Sequence, residues 1–222
     1  MNMDQRIVQQ YINFVGKAEV EELTKKFNVQ QFCRRWEQVL TSRSTGLLGS
    51  GIVYSSVNAI YVPLLNNEVG VLNSAYDGKF QKTSIIGASR ARDANVPTCR
   101  TVKFGTQLIE GNYWLIYISD NFDTLIVSAP IIIPGLGINL SNNFGLYVLV
   151  QNRDKFWSSE EPNKVFDVLK KYGFTQFWNN PVNSGSSFPI FREDIVKLIE
   201  ENKEKRVKKQ YKNSNKQQTK SK

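Results

Sequence analysis

Histidine is absent from this 222-residue chain, and cysteine occurs only twice, at Cys33 and Cys99. The first absence removes the commonest general base, and with it the Ser/His and Cys/His nucleophile pairs. With no histidine and no CxxC spacing, a zinc site is not expected. Two cysteines do not make a disulfide framework, so two free thiols are expected in preference to a pair across the fold. No phosphate loop (GxxxxGK[ST]), dinucleotide-binding GxGxxG or GxSxG elbow occurs. Asp and Glu are scattered without an informative spacing. The chain is therefore expected not to be an enzyme and to carry no cofactor and no metal. A long apolar run is missing too. The first 27 residues hold Asp4, Glu19, Glu21 and Glu22, so they read neither as a secretory signal nor as a membrane span. The expectation is a protein of the cytoplasm. The inside of a viral particle is the other expectation, because frequent Asn and Lys suit an AT-rich genome.

The net charge is +9, but residues 203–222 hold nine Lys or Arg against the single acid Glu204, eight of the nine net charges. What precedes the tail is nearly neutral. Such a block reads as a solvated tail, with an anionic membrane surface or nucleic acid as its possible partner. Thirteen Phe, nine Tyr and four Trp suit a β core or a ligand cavity.

Residues 4–27 have helical spacing in Ile7, Tyr11, Phe14 and Ala18, with Asp4 as cap and Gly16 as a break. From Arg35 to Val150, short β-branched and aromatic runs alternate with turn residues. The expected strands are Trp36–Arg43, Ile52–Val62, Val69–Tyr76, Phe80–Ala91, Thr98–Phe104, Tyr113–Ser119, Thr124–Ala129 and Leu146–Gln151. Short links make this an up-and-down meander, and eight strands can close on themselves. A helix follows, with Ser158 and Glu161 at capping-box spacing, Pro162 in the first turn, Val165, Leu169 and Tyr172 on one face, and Gly173 as stop. An extended piece (174–178) and a last helix from Arg192 to about Val207 complete the pattern. The division is a helical extension (1–30), a barrel with its helix (31–185), a further helix (186–209) and a disordered basic tail (210–222).

Four segments, in order, resemble the lipocalin family, apolipoprotein D and the bacterial outer-membrane lipocalins in particular. Arg34-Arg35-Trp36 matches the Trp of the family's Gly-x-Trp opening, though not its Gly. Ser119–Val127 resembles the turn between the sixth and seventh strands. Leu146–Arg153 resembles the apolar strand ending in Arg, and Val165–Phe174 resembles the helix and its exit. The resemblance covers about residues 33–182. It implies an all-β, eight-stranded antiparallel up-and-down barrel with a flanking helix and extra terminal helices. It also implies that Trp36 plugs the closed end with Arg153 stacked over its ring, a contact worth about 1–2 kcal/mol when desolvated.

With the first strand starting at the closed end, the links after strands one, three, five and seven lie at the mouth. The last of these is long and apolar. Its Ile131, Ile132, Ile133 and Leu136 read either as a lid or membrane-touching tip, or as a loop folded back onto the wall. The apolar link between the first and second strands, Thr45–Gly49, is a further part of the mouth. Tyr54, Tyr61, Tyr113, Leu115, Tyr117 and Tyr147 are the candidate cavity residues. In the sixth strand, Tyr113, Leu115 and Tyr117 form one face and Trp114, Ile116 and Ile118 the other, with the inward set left open. The expected function is to hold a small hydrophobic ligand, such as a lipid, fatty acid or sterol. The alternatives are a filled barrel acting through its terminal helices and tail, and an enzyme using Cys99 as some lipocalin relatives use a cavity cysteine.

Overall fold

The computed structural model describes residues 1–42, 56–65, 68–76, 82–105, 110–130, 145–176 and 179–184. Three helices come first: α1 (Met3–Val15), α2 (Lys17–Lys26) and α3 (Val29–Phe32). Ile7, Val8, Tyr11 and Val15 recur at helical spacing and give α1 one buried face. Its start is set by a capping box and not by Asp4. Asn2 Oδ1 accepts from the Gln5 amide at 2.9 Å, and Gln5 Oε1 accepts from the Asn2 amide at 3.0 Å. Asp4 instead accepts hydrogen bonds from Arg90 and Arg92. Gly16 separates α1 from α2 at a φ of +101°, a conformation that strains any residue with a Cβ.

Eight strands follow: β1 (Arg35–Ser42), β2 (Ser56–Pro63), β3 (Val69–Tyr76), β4 (Lys82–Ala91), β5 (Cys99–Phe104), β6 (Gly111–Ile118), β7 (Thr124–Ala129) and β8 (Gly145–Val150). All eight expected strands are present, β3 and β7 to the residue. Each pairs antiparallel with the next, and β1 pairs with both β8 and β2, which closes the sheet into a barrel. Trp36 lies opposite Ala59 on β2, and Thr41 opposite Tyr147 on β8.

The expected capped helix is present as α5 (Glu161–Lys171), and a short helix that the sequence reading did not expect, α4 (Arg153–Trp157), precedes it. Ser159, not Ser158, supplies the hydroxyl at the start of α5, accepting from the Glu161 amide at 3.2 Å. Val165 and Leu169 are buried, and Gly173 leaves the helix at a φ of +78°. The chain then turns where an extended piece was expected. The extended strand comes later, as β9 (Pro181–Asn183), paired with the Leu40–Ser42 end of β1. The helix expected from Arg192 and the basic tail lie outside the described residues.

The core has two layers. One is the inside of the barrel. The other lies between the wall and the helices, where Trp114 on β6 meets Tyr11 and Phe14 of α1 at ring distances of 5.5 and 6.0 Å. Among the described residues, no helix is long and apolar enough to cross a membrane.

Candidate functional site

Strand register decides which side chains look inward. Tyr61 on β2 and Tyr113 on β6 are four strands apart in either direction round the closed sheet, yet their hydroxyls lie 2.6 Å apart. Only a path across the interior permits that contact. Pairing carries the same face round the wall, from Tyr61 to Val71 and Gly87, from Arg100 to Tyr113, and from Leu115 to Val127 and Tyr147. Tyr61, Tyr113, Leu115 and Tyr147 therefore share the lumen face.

Tyr117 does not. The β6–β7 register shifts between Leu115 and Tyr117, and one extra residue turns the side chains that follow to the opposite face. Tyr117 points out and donates to Glu161 of α5 at 2.8 Å. The bulge also receives α1, whose Tyr11 hydroxyl donates to the Leu115 carbonyl at 2.7 Å. Tyr54, Ile131, Ile132, Ile133 and Leu136 lie outside the described residues, as do the greater parts of all four links at the mouth.

The closed end is built from α3, the start of β1 and the β6–β7 turn. Trp36 is fully buried, and its indole Nε1 donates to the Phe32 carbonyl at 3.0 Å. Phe122 lies 6.4 Å from the Trp36 ring. It holds a positive φ of 59° in a turn fixed by the Ser119 hydroxyl, which accepts from the Asp123 and Thr124 amides. The cation over the indole is Arg34, 5.3 Å from the Trp36 ring and 5.5 Å from that of Phe122. Its Nη2 donates to the Phe122 carbonyl at 3.1 Å, and its Nε donates to the Gln31 carbonyl.

This corrects the expected Trp36–Arg153 pair. Arg153 donates through Nη1 and Nη2 to the carbonyls of Ser184 and Gln38, tying the end of β9 to β1. The reason lies in the sequence departure itself. Arg34 stands where the motif that this segment resembles has Gly, so a guanidinium two residues from Trp36 already covers the ring, and a second cation there would be repelled.

A polar layer lies on this floor. The Phe32 ring is 4.8 Å from that of Tyr61. Arg100 is only 1% exposed. Its Nε donates to Ser89 Oγ at 3.0 Å and its Nη2 to the Ser89 carbonyl at 3.1 Å, with the guanidinium 5.5 Å from the Phe32 ring and 5.8 Å from that of Phe27. Burial pushes its pKa down to about 10, against the pull of Cys33, Tyr113 and Tyr61. Burial raises the Tyr61 and Tyr113 phenols well above their ordinary value, and raises that of Tyr147 too.

Exposure changes along the lumen. Toward the floor, Trp36, Ala59, Tyr61, Val71, Ser89 and Arg100 are all buried. Toward the mouth, Asn73, Phe104, Ala129 and Tyr147 are half-buried, and Ile85, opposite Asn73 on the same face, is 48% exposed. The described residues of this face are thus buried toward the floor and more accessible toward the mouth.

Sequence reading missed Arg34, Phe32, Ser89 and Arg100. A charged residue in the apolar run Cys99-Arg100-Thr101-Val102 was the available signal, but its inward direction needs the pairing of Arg100 with Tyr113. Both cysteines are free. Cys99 lies opposite Trp114, on the outer face of the wall and not in the lumen. Burial pushes its thiol up to about 12 and that of Cys33 to about 11. Among the described residues, no group of His, Cys, Asp and Glu is placed to hold a metal. Two open clefts outside the wall, of about 210 and 140 Å³, are below the roughly 300–1,000 Å³ of ligand pockets and are lined by a mixture of charged, polar and apolar side chains.

No protein-family model and no curated protein matches the chain. Solved structures do. Lobster apocrustacyanin A1 is similar at 8% identity and a TM-score of 0.54, over 78% of this chain and 87% of that one. Apocrustacyanin C1 is similar at 10% identity and a TM-score of 0.54, over 76% and 86%. Insecticyanin from the tobacco hornworm Manduca sexta is similar at 17% identity and a TM-score of 0.53, over 73% and 82%. At these identities the likeness shows the fold, which is that of the lipocalins. It does not extend to the narrower resemblance to apolipoprotein D and the bacterial outer-membrane proteins.

Proposed function

We propose that this barrel takes up a small hydrophobic ligand (a lipid, fatty acid, sterol or molecule of that kind) in the upper half of its lumen. The observation that carries this reading is the gradient of exposure along the inward face. Apolar groups at Ile85, Phe104 and Ala129 stay accessible inside a closed sheet, while the floor beneath is sealed by Trp36, Phe122 and Arg34. A wall with its apolar side turned to an accessible hollow gains free energy when a nonpolar molecule replaces water there. At about 25 cal/mol per Å², burying roughly 200 Å² contributes about 5 kcal/mol.

The competing reading, a filled barrel that acts only through its outer surface, draws on the Tyr61–Tyr113 bridge and the Phe32 ring that occupy the lower lumen. Titration with N-phenyl-1-naphthylamine, an uncharged fluorescent probe, separates the two. Saturable enhancement at one site per chain, in the micromolar range, is expected. No enhancement with correctly folded protein would leave the filled barrel as the better account.

A further inference from the structure

We propose that the ligand held in this lumen carries a carboxylate, and that it binds head-down, with that carboxylate seated on the hydroxyls of Tyr113 and Tyr147 above the buried guanidinium of Arg100. The proposal rests on the carrier reading and adds the chemical class and orientation of the ligand.

The argument begins with hydrogen counting. A phenol has one hydrogen to donate and an oxygen that accepts. Tyr61 and Tyr113 share one hydrogen bond of 2.6 Å. Whichever hydroxyl donates, the other still holds a hydrogen that this bond does not use. No second acceptor for it occurs among the described residues, and none occurs there for the Tyr147 hydroxyl. Both sit on the lumen face, Tyr113 buried and Tyr147 half-buried. They lie between the buried floor and the more accessible residues toward the mouth. With Tyr61 donating to Tyr113, a ligand that supplies oxygen acceptors at this level can take the hydrogens of both the Tyr113 and the Tyr147 hydroxyl.

The local charge decides which acceptor. Arg100 lies directly opposite Tyr113 across the β5–β6 ladder. Its guanidinium is fixed by Ser89 on one side and the Phe27 and Phe32 rings on the other. It sets a positive potential at the Tyr61 and Tyr113 phenols, which its charge acts to make more acidic. A carboxylate presents two oxygens, one for each hydroxyl, together with the negative charge that this potential favours. An ester presents acceptors without the charge. The apolar residues at Ile85, Phe104 and Ala129 lie mouthward of this layer, where the hydrocarbon part of a head-down amphiphile would run.

The test is displacement of N-phenyl-1-naphthylamine by decanoate and by methyl decanoate at pH 7.4, on the wild-type chain, Tyr147→Phe, and the Tyr113→Phe/Tyr147→Phe double variant. Hydrogen bonds to a charged group of about 1.5–3 kcal/mol correspond to a roughly 10- to 100-fold preference. Decanoate is therefore expected to displace the probe at least about ten-fold more effectively than the ester. That preference, read in each variant relative to its own probe affinity, should shrink in Tyr147→Phe and fall below about three-fold in the double variant. Equal displacement by acid and ester on the wild-type chain would overturn the head-group assignment while leaving the carrier reading in place. So would a preference that survives both substitutions. Tyr147→Phe removes a hydroxyl with no partner among the described residues, so it keeps the test decisive if the double variant folds poorly.

Discussion

Asp4 shows how one side chain can leave the role its position suggests. The sequence offers it as a helix cap, but Asn2 and Gln5 do that work, which frees Asp4 to bridge α1 to the barrel through Arg90 and Arg92. Burial alone would raise its pKa, yet the hydrogen bonds and charges of the two arginines outweigh burial and hold it below 3.8. A carboxylate depressed on folding contributes stability that is present above its unfolded pKa and is lost as pH falls through its folded one. Asp4→Asn is therefore expected to lower stability at pH 7 by about 1–3 kcal/mol. The gap to the wild type should close as pH drops below about 4. Thermal melts of both chains between pH 7 and pH 2.5 would check this, and a constant gap would contradict it. The same lesson holds at Arg34. The sequence places a Trp at the floor correctly, but it does not say which of two arginines will reach the ring first.

Strands and their order were legible because turn residues bracket them. Asp77-Gly78 and the run from Asp120 to Asp123 leave β3 and β7 no freedom in where to stop or start. What the pattern could not carry was register. Tyr113, Leu115 and Tyr117 alternate as one face in the sequence, and a single extra residue splits them between lumen and surface. Nothing in Tyr113–Ile118 marks that bulge, and the side chain that bonds to its carbonyl, Tyr11, lies more than a hundred positions away in the chain. The approach of β4 to β5 is a second such feature. A Cβ on Gly87 would lie 2.5 Å from the Lys103 carbonyl oxygen and 2.6 Å from Phe104 Cδ1, so the ladder closes here only because the position has no side chain. The backbone contact cannot yield as a flexible side chain would. Gly87→Ala is expected to destabilise the protein by about 1–3 kcal/mol, read as a lower midpoint in urea. An unchanged midpoint would show that β4 and β5 can separate at no cost.

The barrel as a whole was read from the sequence in its class, strand number and closure. The comparisons with the crustacyanins and insecticyanin agree with that reading at the level of fold. The site was legible only in part. Of the six residues expected in the cavity, Tyr61, Tyr113, Leu115 and Tyr147 share the lumen face, Tyr117 is on the other and Tyr54 lies outside the described residues. Arg100 was passed over because a charge in a strand is ordinarily a solvated one. Its burial becomes intelligible only once Ser89, Phe27 and Phe32 are seen to close around it. Local pattern thus specifies the wall, while the contents of the hollow depend on residues brought together from helix, turn and opposite strands.

If the ligand resides inside the wall, blocking the open half should abolish binding without harming the fold. Ile85 faces the lumen and is 48% exposed, so Ile85→Trp adds bulk where there is room for it. The measurement is N-phenyl-1-naphthylamine affinity for wild-type and Ile85→Trp protein, with melting temperature as control. A loss of at least about ten-fold, equivalent to about 1.4 kcal/mol, at an unchanged melting temperature is the expected result. Equal affinity in the two proteins would place the probe outside the barrel and contradict the account.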